Sequence, residues 1–410
     1  MSTASKHERV HVLSLLDNLG SAGGGAERMA RELVTRLDPS RFRKTLCVTR
    51  LGPDRLTPAD LAIIQQLEAQ GVPVLSLPRR GKLHLAAWRP LLRYIRRENV
   101  RVLHGHMFGS NVWAATLGPL AGVPVIVAHE HGWSYEGQPV RRFLDRVLVS
   151  RSCEAIIASS QLCRRRMIEV EGIDPRRTRL VYIANGIAPL HPTGRSIRAE
   201  LGIFESAPVV VCIARLHPYK ALHVLVDAAA RLEPEFPDLR VLIAGEGRDR
   251  RRLERLIADL GLNRVVTLLG ARADVADVIA ACDVATLCSY SETTPLAIME
   301  YMALGKAVVA TRAGGIPDLI EDGVHGHLVE PGNAASLAAA LGELLKAPEL
   351  ARDMGRRGRE RQQREFSIEA VTRRVEALYD ELLLDAPASR RVPAVIGTGR
   401  ADLHQRVPPC

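Results

Sequence analysis

The sequence predicts an α/β protein of two Rossmann-like domains in tandem, facing each other across an interdomain cleft, with a flexible C-terminal tail. Three observations carry this reading. Apolar runs of strand length alternate with helical patterns along most of the 410 residues, and that alternation builds a parallel sheet covered by helices on both faces. It breaks near residues 187 to 205 into Pro, Gly and polar residues and then restarts, as at a domain boundary. The chain is also too long for one ordinary core.

Taken in order, "RVHVLSLLDN" reads as a buried strand, and "MARELVTRL" as an amphipathic helix that begins at Ala26 after a glycine-rich turn. "KTLCVTR", "VPVLSLP", "VRVLHGH", "VPVIVAHEH" and "AIIASS" are further strands, separated by helical patterns such as "LAIIQQLEAQ" and "RRFLDRVLVS". Past the break come the strands "APVVVCIAR", "RVLIAGEG", "VVTLLG", "ATLCS" and "AVVATR", with helices such as "RLERLIADL" between them. Residues 1–190 form the first domain and 191–365 the second. A helix over 366–385 is expected to pack back toward the first domain. Residues 386–410 lack a sustained period and are rich in Pro, Gly and Arg, the pattern of a flexible tail.

Composition narrows the function. Aromatic residues make up only 4% of the chain, which argues against stacking platforms and against a nucleic-acid partner. No apolar run approaches a membrane span, and "MSTASKHERV" lacks the apolar core of a secretory signal, so the expected location is cytoplasmic. The seven cysteines stand singly, suggesting reduced thiols rather than a disulfide framework or zinc ribbon. A net charge of +10 implies anionic partners, among which composition alone does not choose.

Open parallel sheets bind ligands outside the carboxyl ends of their strands, so the informative residues are those at strand ends. "GSAGGGAERMA", holding Gly24 and Gly25, is either a flexible turn or a helix start whose N–H groups receive an anion or a sugar oxygen. "VLHGH" and "VAHEH" end two strands with paired histidines. His131 and His106 suit hydrogen bonding to a reacting sugar, with His106 on the acceptor side, while His104 and His129 read as structural. A metal would need ligands converging from two strands, and spacing within one strand does not show that.

In the second domain Arg215 ends a strand and a helix begins near Lys220. Two cations beside a helix N-terminus make a diphosphate clamp, although a solvated basic turn has the same composition. Gly245 and Gly247 lie at another strand end, where bare backbone can approach a nucleotide. In "SETTPLAIME" Pro295 suits the first helical position, so Glu292 precedes the helix and Glu300 lies about one and a half turns inside it. Each alone reads as an ordinary solvated glutamate. At a cleft, one carboxylate suits the vicinal hydroxyls of a ribose and the other a second sugar.

The order of these features resembles the retaining glycosyltransferases of family 4, which have the GT-B fold. The resemblance covers nearly the whole chain apart from the tail. It rests on the E-x7-E motif "ETTPLAIME" with its continuation "YMALGKAVVATRAGGIPDLIEDGVHGHLV", on Arg215 and Lys220, and on "GGAE" and "NGI". It implies transfer of a sugar from a nucleotide diphosphate sugar, UDP- or GDP-linked, to a glycan, lipid-linked or small-molecule acceptor. By the same resemblance Arg215 and Lys220 grip the donor diphosphate, Glu300 holds the ribose, and Glu292 contacts the transferred sugar. Gly24 and Gly25 lie near donor phosphate or acceptor, His131 near the sugar, and the backbone of Thr294, Pro295 and Leu296 lines the pocket. Two departures stand out: Thr293 and Ala221 occupy positions where the family commonly has glycine.

Electrostatic stabilisation of the departing diphosphate is the mechanism this set supports. No carboxylate is placed as a glycosidase-type nucleophile. Neither a metal nor another cofactor is required, because two side-chain cations do the metal's work. A GT-B nucleotide-sugar epimerase and a non-catalytic nucleotide-sugar binder are the alternatives. Basic stretches "RYIRREN", "RRFLDRVLVSR" and "QLCRRRMIEV" are either solvated helix faces or docking sites for an anionic membrane, which would place the protein on the inner face of the cytoplasmic membrane.

Overall fold

The computed structural model describes residues 9–20, 25–50, 56–77, 85–132 and 138–386. The chain divides into two compact units. One comprises residues 1–185 with 371–410, and the other residues 186–370. Gly24 and the tail from residue 387 onward lie outside the described residues.

In the first unit seven strands form one parallel sheet: β1 (Val10–Leu16), β2 (Phe42–Val48), β3 (Val74–Ser76), β4 (Val102–His106), β5 (Val125–Glu130), β6 (Ala155–Ala158) and β7 (Arg179–Tyr182), in the order β3-β2-β1-β4-β5-β6-β7. The order reverses between β1 and β4. Strands there are covered on both faces, so β4 and β5 are buried at every residue. That explains their continuous rather than alternating hydrophobicity. The register sets His104 opposite Val127 and His106 opposite His129. Because side chains alternate along a strand, His104, His106 and His129 therefore share one face.

The second unit has a six-stranded parallel sheet: β8 (Val209–Ile213), β9 (Arg240–Ala244), β10 (Val266–Gly270), β11 (Val284–Leu287), β12 (Ala307–Thr311) and β13 (Gly326–Val329), ordered β10-β9-β8-β11-β12-β13. Its reversal falls between β8 and β11. In both sheets the strands on either side of the reversal diverge toward opposite edges, which leaves a crevice at their carboxyl ends.

Two edge strands, β7 and β13, have no counterpart in the sequence reading. Each is four residues long, and in β13 Gly326 and His327 interrupt the apolar run. The helix Ile368–Asp385 is grouped with the first unit from residue 371 onward. There Glu376 accepts the Asp38 N–H at 2.7 Å and pairs with Arg41, and the Tyr379 ring lies edge-on to Phe42. Six cysteines lie within the described residues, all free and buried. Burial pushes the Cys47 thiol up to about 12.

Candidate active site

The β8/β11 crevice gathers most of the polar residues singled out from the sequence. After β8 the chain passes Arg215, makes a short 3-10 turn at Pro218–Lys220, and enters the helix Leu222–Leu232. Lys220 thus sits on a turn just ahead of the helix rather than on its first residue. Ala221 between them is fully buried and takes φ +51°, a left-handed conformation that costs a residue with a Cβ about 1 kcal/mol or more. Glycine would be free of that strain, which gives the family's usual glycine a physical reason.

After β11, residues 288–295 lead into the helix Leu296–Ala303. Pro295 stands as its N-cap with φ −71°, and Leu296 is its first residue. The two loops are stitched together. Tyr290 N–H donates to the Tyr219 carbonyl at 2.8 Å, and the Cys288 thiol lies 3.4 Å from the carbonyl oxygens of Lys220 and Ala221. This brings the Lys220 ammonium onto the Glu292 carboxylate, both side chains being largely buried. Ser289 Oγ donates to the same carboxylate at 2.6 Å. Arg215 reaches the Tyr219 hydroxyl, and its guanidinium carbon lies 5.7 Å from the Tyr219 ring centroid. Lys220 Nζ lies 5.3 Å from that same centroid. One aromatic ring therefore orients both cations, using the attraction of its face for positive charge.

Three features fix this arrangement from behind. Tyr301, next to Glu300 and fully buried, accepts the Ile213 N–H at 2.6 Å and donates to the Thr286 carbonyl at 3.3 Å. The Glu300 helix is thereby pinned across the β8/β11 boundary. Burial raises the Tyr301 phenol well above its ordinary range, so it stays a donor. Gly314 has φ +60°, and a Cβ there would lie 1.6 Å from the Glu292 carbonyl oxygen, so only glycine lets the 313–315 loop press against the first acid. Gly245 and Gly247 make a similar close approach. A Cβ at either would lie 1.9 or 2.2 Å from the carbonyl oxygen of Ala214 or Leu216. Their missing side chains are thus used first by the protein's own Arg215 loop. Thr294, Pro295 and Glu300 are buried around the helix start.

In the first unit Gly25 opens the helix Gly25–Arg36 and is exposed, one residue ahead of the expected start. At the β1/β4 reversal Asp17 accepts from Thr49 at 2.8 Å and Ser110 at 2.9 Å and pairs with Arg50. The four histidines on β4, on β5 and just after β5 come together as a cluster of neighbouring rings. The centroids of His104 and His106 are 4.1 Å apart, those of His129 and His131 4.0 Å, and those of His106 and His131 5.3 Å. His131 Nε2 is 3.1 Å from His106 Nδ1, and His131 Nδ1 is 2.9 Å from Asn185 Oδ1. His131 therefore spends both ring nitrogens inside the unit. Burial, and for most of them the neighbouring imidazoles, holds all four pKa values down, His104 to about 3 and His131 to about 4; for His131 the Asn185 bond acts the other way. His106 is fully buried, and its ring meets that of His131.

The sequence reading gave no role to Tyr219, Ser289, Tyr301, Gly314 or Asn185, although Tyr301, Gly314 and Asn185 stand inside the motifs that carry the resemblance. An aromatic residue flanked by cations in "RLHPYK" was the available signal for Tyr219. The roles of the others become visible only once strands are adjacent.

Sequence models of two families match. Glycosyltransferase Family 4 matches residues 23–189, and glycosyl transferases group 1 matches residues 194–361. N-acetyl-alpha-D-glucosaminyl L-malate synthase of Bacillus anthracis is 33% identical over 189 residues, 46% of this chain and 49% of that protein. D-inositol 3-phosphate glycosyltransferase of Nocardia farcinica is 34% identical over 230 residues, 54% of this chain and 51% of that one. The chain spans about half the length of these curated relatives. Among solved structures, HepE of Anabaena in complex with UDP superposes with a TM-score of 0.77 at 23% identity, covering 91% of this chain and all of that one. At that identity the likeness establishes the shared fold.

Proposed function

The chain belongs to glycosyltransferase family 4, the glycosyl transferases group 1, and from that premise we propose that it transfers a sugar from a nucleotide diphosphate sugar to an acceptor with retention of anomeric configuration. The observation that carries this reading is the pair of cations on one aromatic ring beside an acid at the β8/β11 crevice. Arg215 and Lys220 flank Tyr219, and Lys220 is charge-paired with Glu292.

Breaking the bond between sugar and diphosphate puts negative charge on the leaving group and positive charge on the ring. Arg215, Lys220 and the first turn of the Leu222–Leu232 helix meet the first of these, held in place before the donor arrives. When the diphosphate takes the Lys220 ammonium, the Glu292 carboxylate is released toward the sugar hydroxyls, with Ser289 still holding it. Glu300 holds the ribose, and the backbone of Thr294, Pro295 and Leu296 lines the pocket between. In this reading the backbone of Gly25, Gly245 and Gly247 approaches the donor, and Gly24 has the same expected role. The acceptor hydroxyl attacks on the face from which diphosphate leaves, and a phosphate oxygen takes its proton. His131 contacts the sugar by exchanging its His106 bond for a sugar hydroxyl. The chemistry calls for no metal and no other cofactor, because two side-chain cations neutralise the diphosphate.

UDP is the first donor nucleotide to test, since the fold relative HepE holds it, with GDP second. The acceptor is a glycan, a lipid-linked sugar or a small molecule. The protein works in the cytoplasm, in part at the inner face of its membrane. Among the described residues no helix is long and apolar enough to span a membrane.

Calorimetry with UDP and GDP, preceded by thermal-shift screening of their sugars, tests the clamp. Lys220→Ala or Arg215→Ala should weaken nucleotide diphosphate binding about 10- to 100-fold, the worth of a charge-assisted contact, without unfolding the protein. Unchanged affinity in both variants would refute the clamp. Sugar interconversion without any acceptor would mark an epimerase instead.

A further inference from the structure

We propose that His104, His106 and His129 bind one divalent transition metal of the zinc class inside the first unit, as a structural site. One nitrogen from each of the three lies within 4.8 Å of the others. Four of their ring nitrogens have no hydrogen-bond partner: His104 Nε2, His106 Nε2 and both nitrogens of His129. All three side chains are fully buried, so water does not satisfy those atoms from bulk. A buried polar atom left unpaired is destabilising, and three adjacent histidines carrying four of them call for a common partner.

The hydrogen-bond chain settles what kind of partner suits His106. The side-chain oxygen of Asn185 only accepts, so His131 Nδ1 carries the proton that spans their 2.9 Å contact. His131 Nε2 is then a bare acceptor, and His106 Nδ1 must donate to it across 3.1 Å. That leaves His106 Nε2 as an unprotonated, unpartnered lone pair. A lone pair surrounded by other imidazoles is matched by a Lewis acid.

Two of the three rings have the contact usual for a metal-bound imidazole, whose second nitrogen bonds to an outer group that fixes its tautomer. His106 has His131 in that role, and His104 Nδ1 lies 2.5 Å from the Tyr379 hydroxyl. Metal–nitrogen bonds of about 2.0–2.1 Å put tetrahedral ligands about 3.4 Å apart, so rotations of the imidazole rings must draw the three nitrogens together. Neutral imidazole selects zinc, copper, nickel or cobalt over magnesium or calcium. The bound ion ties β4 to β5 and, through His106, holds His131 at the end of β5.

The test uses the intact 410-residue chain, stripped with a chelator and titrated with Co2+. One equivalent should produce the visible d–d absorption of a low-coordinate nitrogen site, and Zn2+ should displace it and raise Tm by about 5 °C. His129→Asn and His104→Gln should each abolish the absorption, while His191→Asn, at an exposed histidine, should keep it. Wild-type protein that gives neither absorption nor a Zn2+-dependent Tm shift overturns the proposal, as does absorption retained in both cluster variants. None of these readouts depends on glycosyl transfer.

Discussion

Glu292 has two partners in this structure, the Lys220 ammonium and the Ser289 hydroxyl, and that changes what its removal should do. In Glu292→Gln the charge pair is lost and Lys220 is left to the diphosphate alone. UDP or GDP should therefore bind at least as tightly as to wild type while turnover falls by about 100-fold or more, the usual cost of removing a group that acts on the reacting sugar. Glu300→Gln should instead weaken nucleotide binding by about 10-fold, one hydrogen bond to a charged group, with a smaller loss of kcat. Calorimetry beside initial rates separates the two; parallel losses in both variants would overturn the division of labour. Both acids and both cations were legible as residues in "ETTPLAIME" and "ARLHPYK". Their pairing was not, because Lys220 and Glu292 are 72 residues apart and meet only when β8 and β11 lie side by side.

Among the elements, the three basic helices singled out from composition part ways. In Arg89–Arg97 Leu91 and Ile95 are buried, and in Gln161–Glu169 Cys163 and Met167 are buried. Their apolar residues belong to the core and their arginines to a solvated face. The short helix Pro139–Leu144 differs, with Val140 and Phe143 exposed at 70% and 62% beside Arg141 and Arg142. Exposed apolar residues flanked by arginines suit an anionic bilayer surface. The chain should sediment with vesicles containing phosphatidylglycerol and not with neutral ones. Phe143→Ser should cut the bound fraction several-fold at unchanged Tm, and equal sedimentation of the variant would remove this helix from any membrane role. Periodicity alone did not separate these helices, since it reports that an apolar stripe exists and not what covers it.

Across the whole molecule, stability should depend on pH through buried imidazoles. His11, on β1, accepts or donates at Thr45 Oγ1 across 2.9 Å and is held down to about 4 by burial first, against the pull of the Glu98 carbonyl, with the Arg43 cation adding to the depression. Its folded value is lower than its unfolded one near 6.5, so the unfolded chain binds the extra proton. Its stabilising contribution is complete above pH 6.5 and is lost as pH falls toward 4, with a slope of up to about 1.4 kcal/mol per unit. Urea unfolding of wild type and His11→Gln at pH 7.0 and 4.5 checks this. The variant should show a shallower fall, and identical slopes would remove His11 from the acid response. The parallel α/β class, the break near 187–205 and the glutamates, cations and histidines at strand ends were all set by the sequence itself, because strand-length apolar runs and helical periods are local properties. Which strands are neighbours is not local. Adjacency at the β8/β11 and β4/β5 boundaries put Lys220 on Glu292, Tyr301 between two strands, Gly314 against an acid, and four imidazoles in one buried cluster. Those contacts exist only when the sheets form, since side chains far apart in sequence are brought within bonding distance by strand order and register rather than by any spacing along the chain.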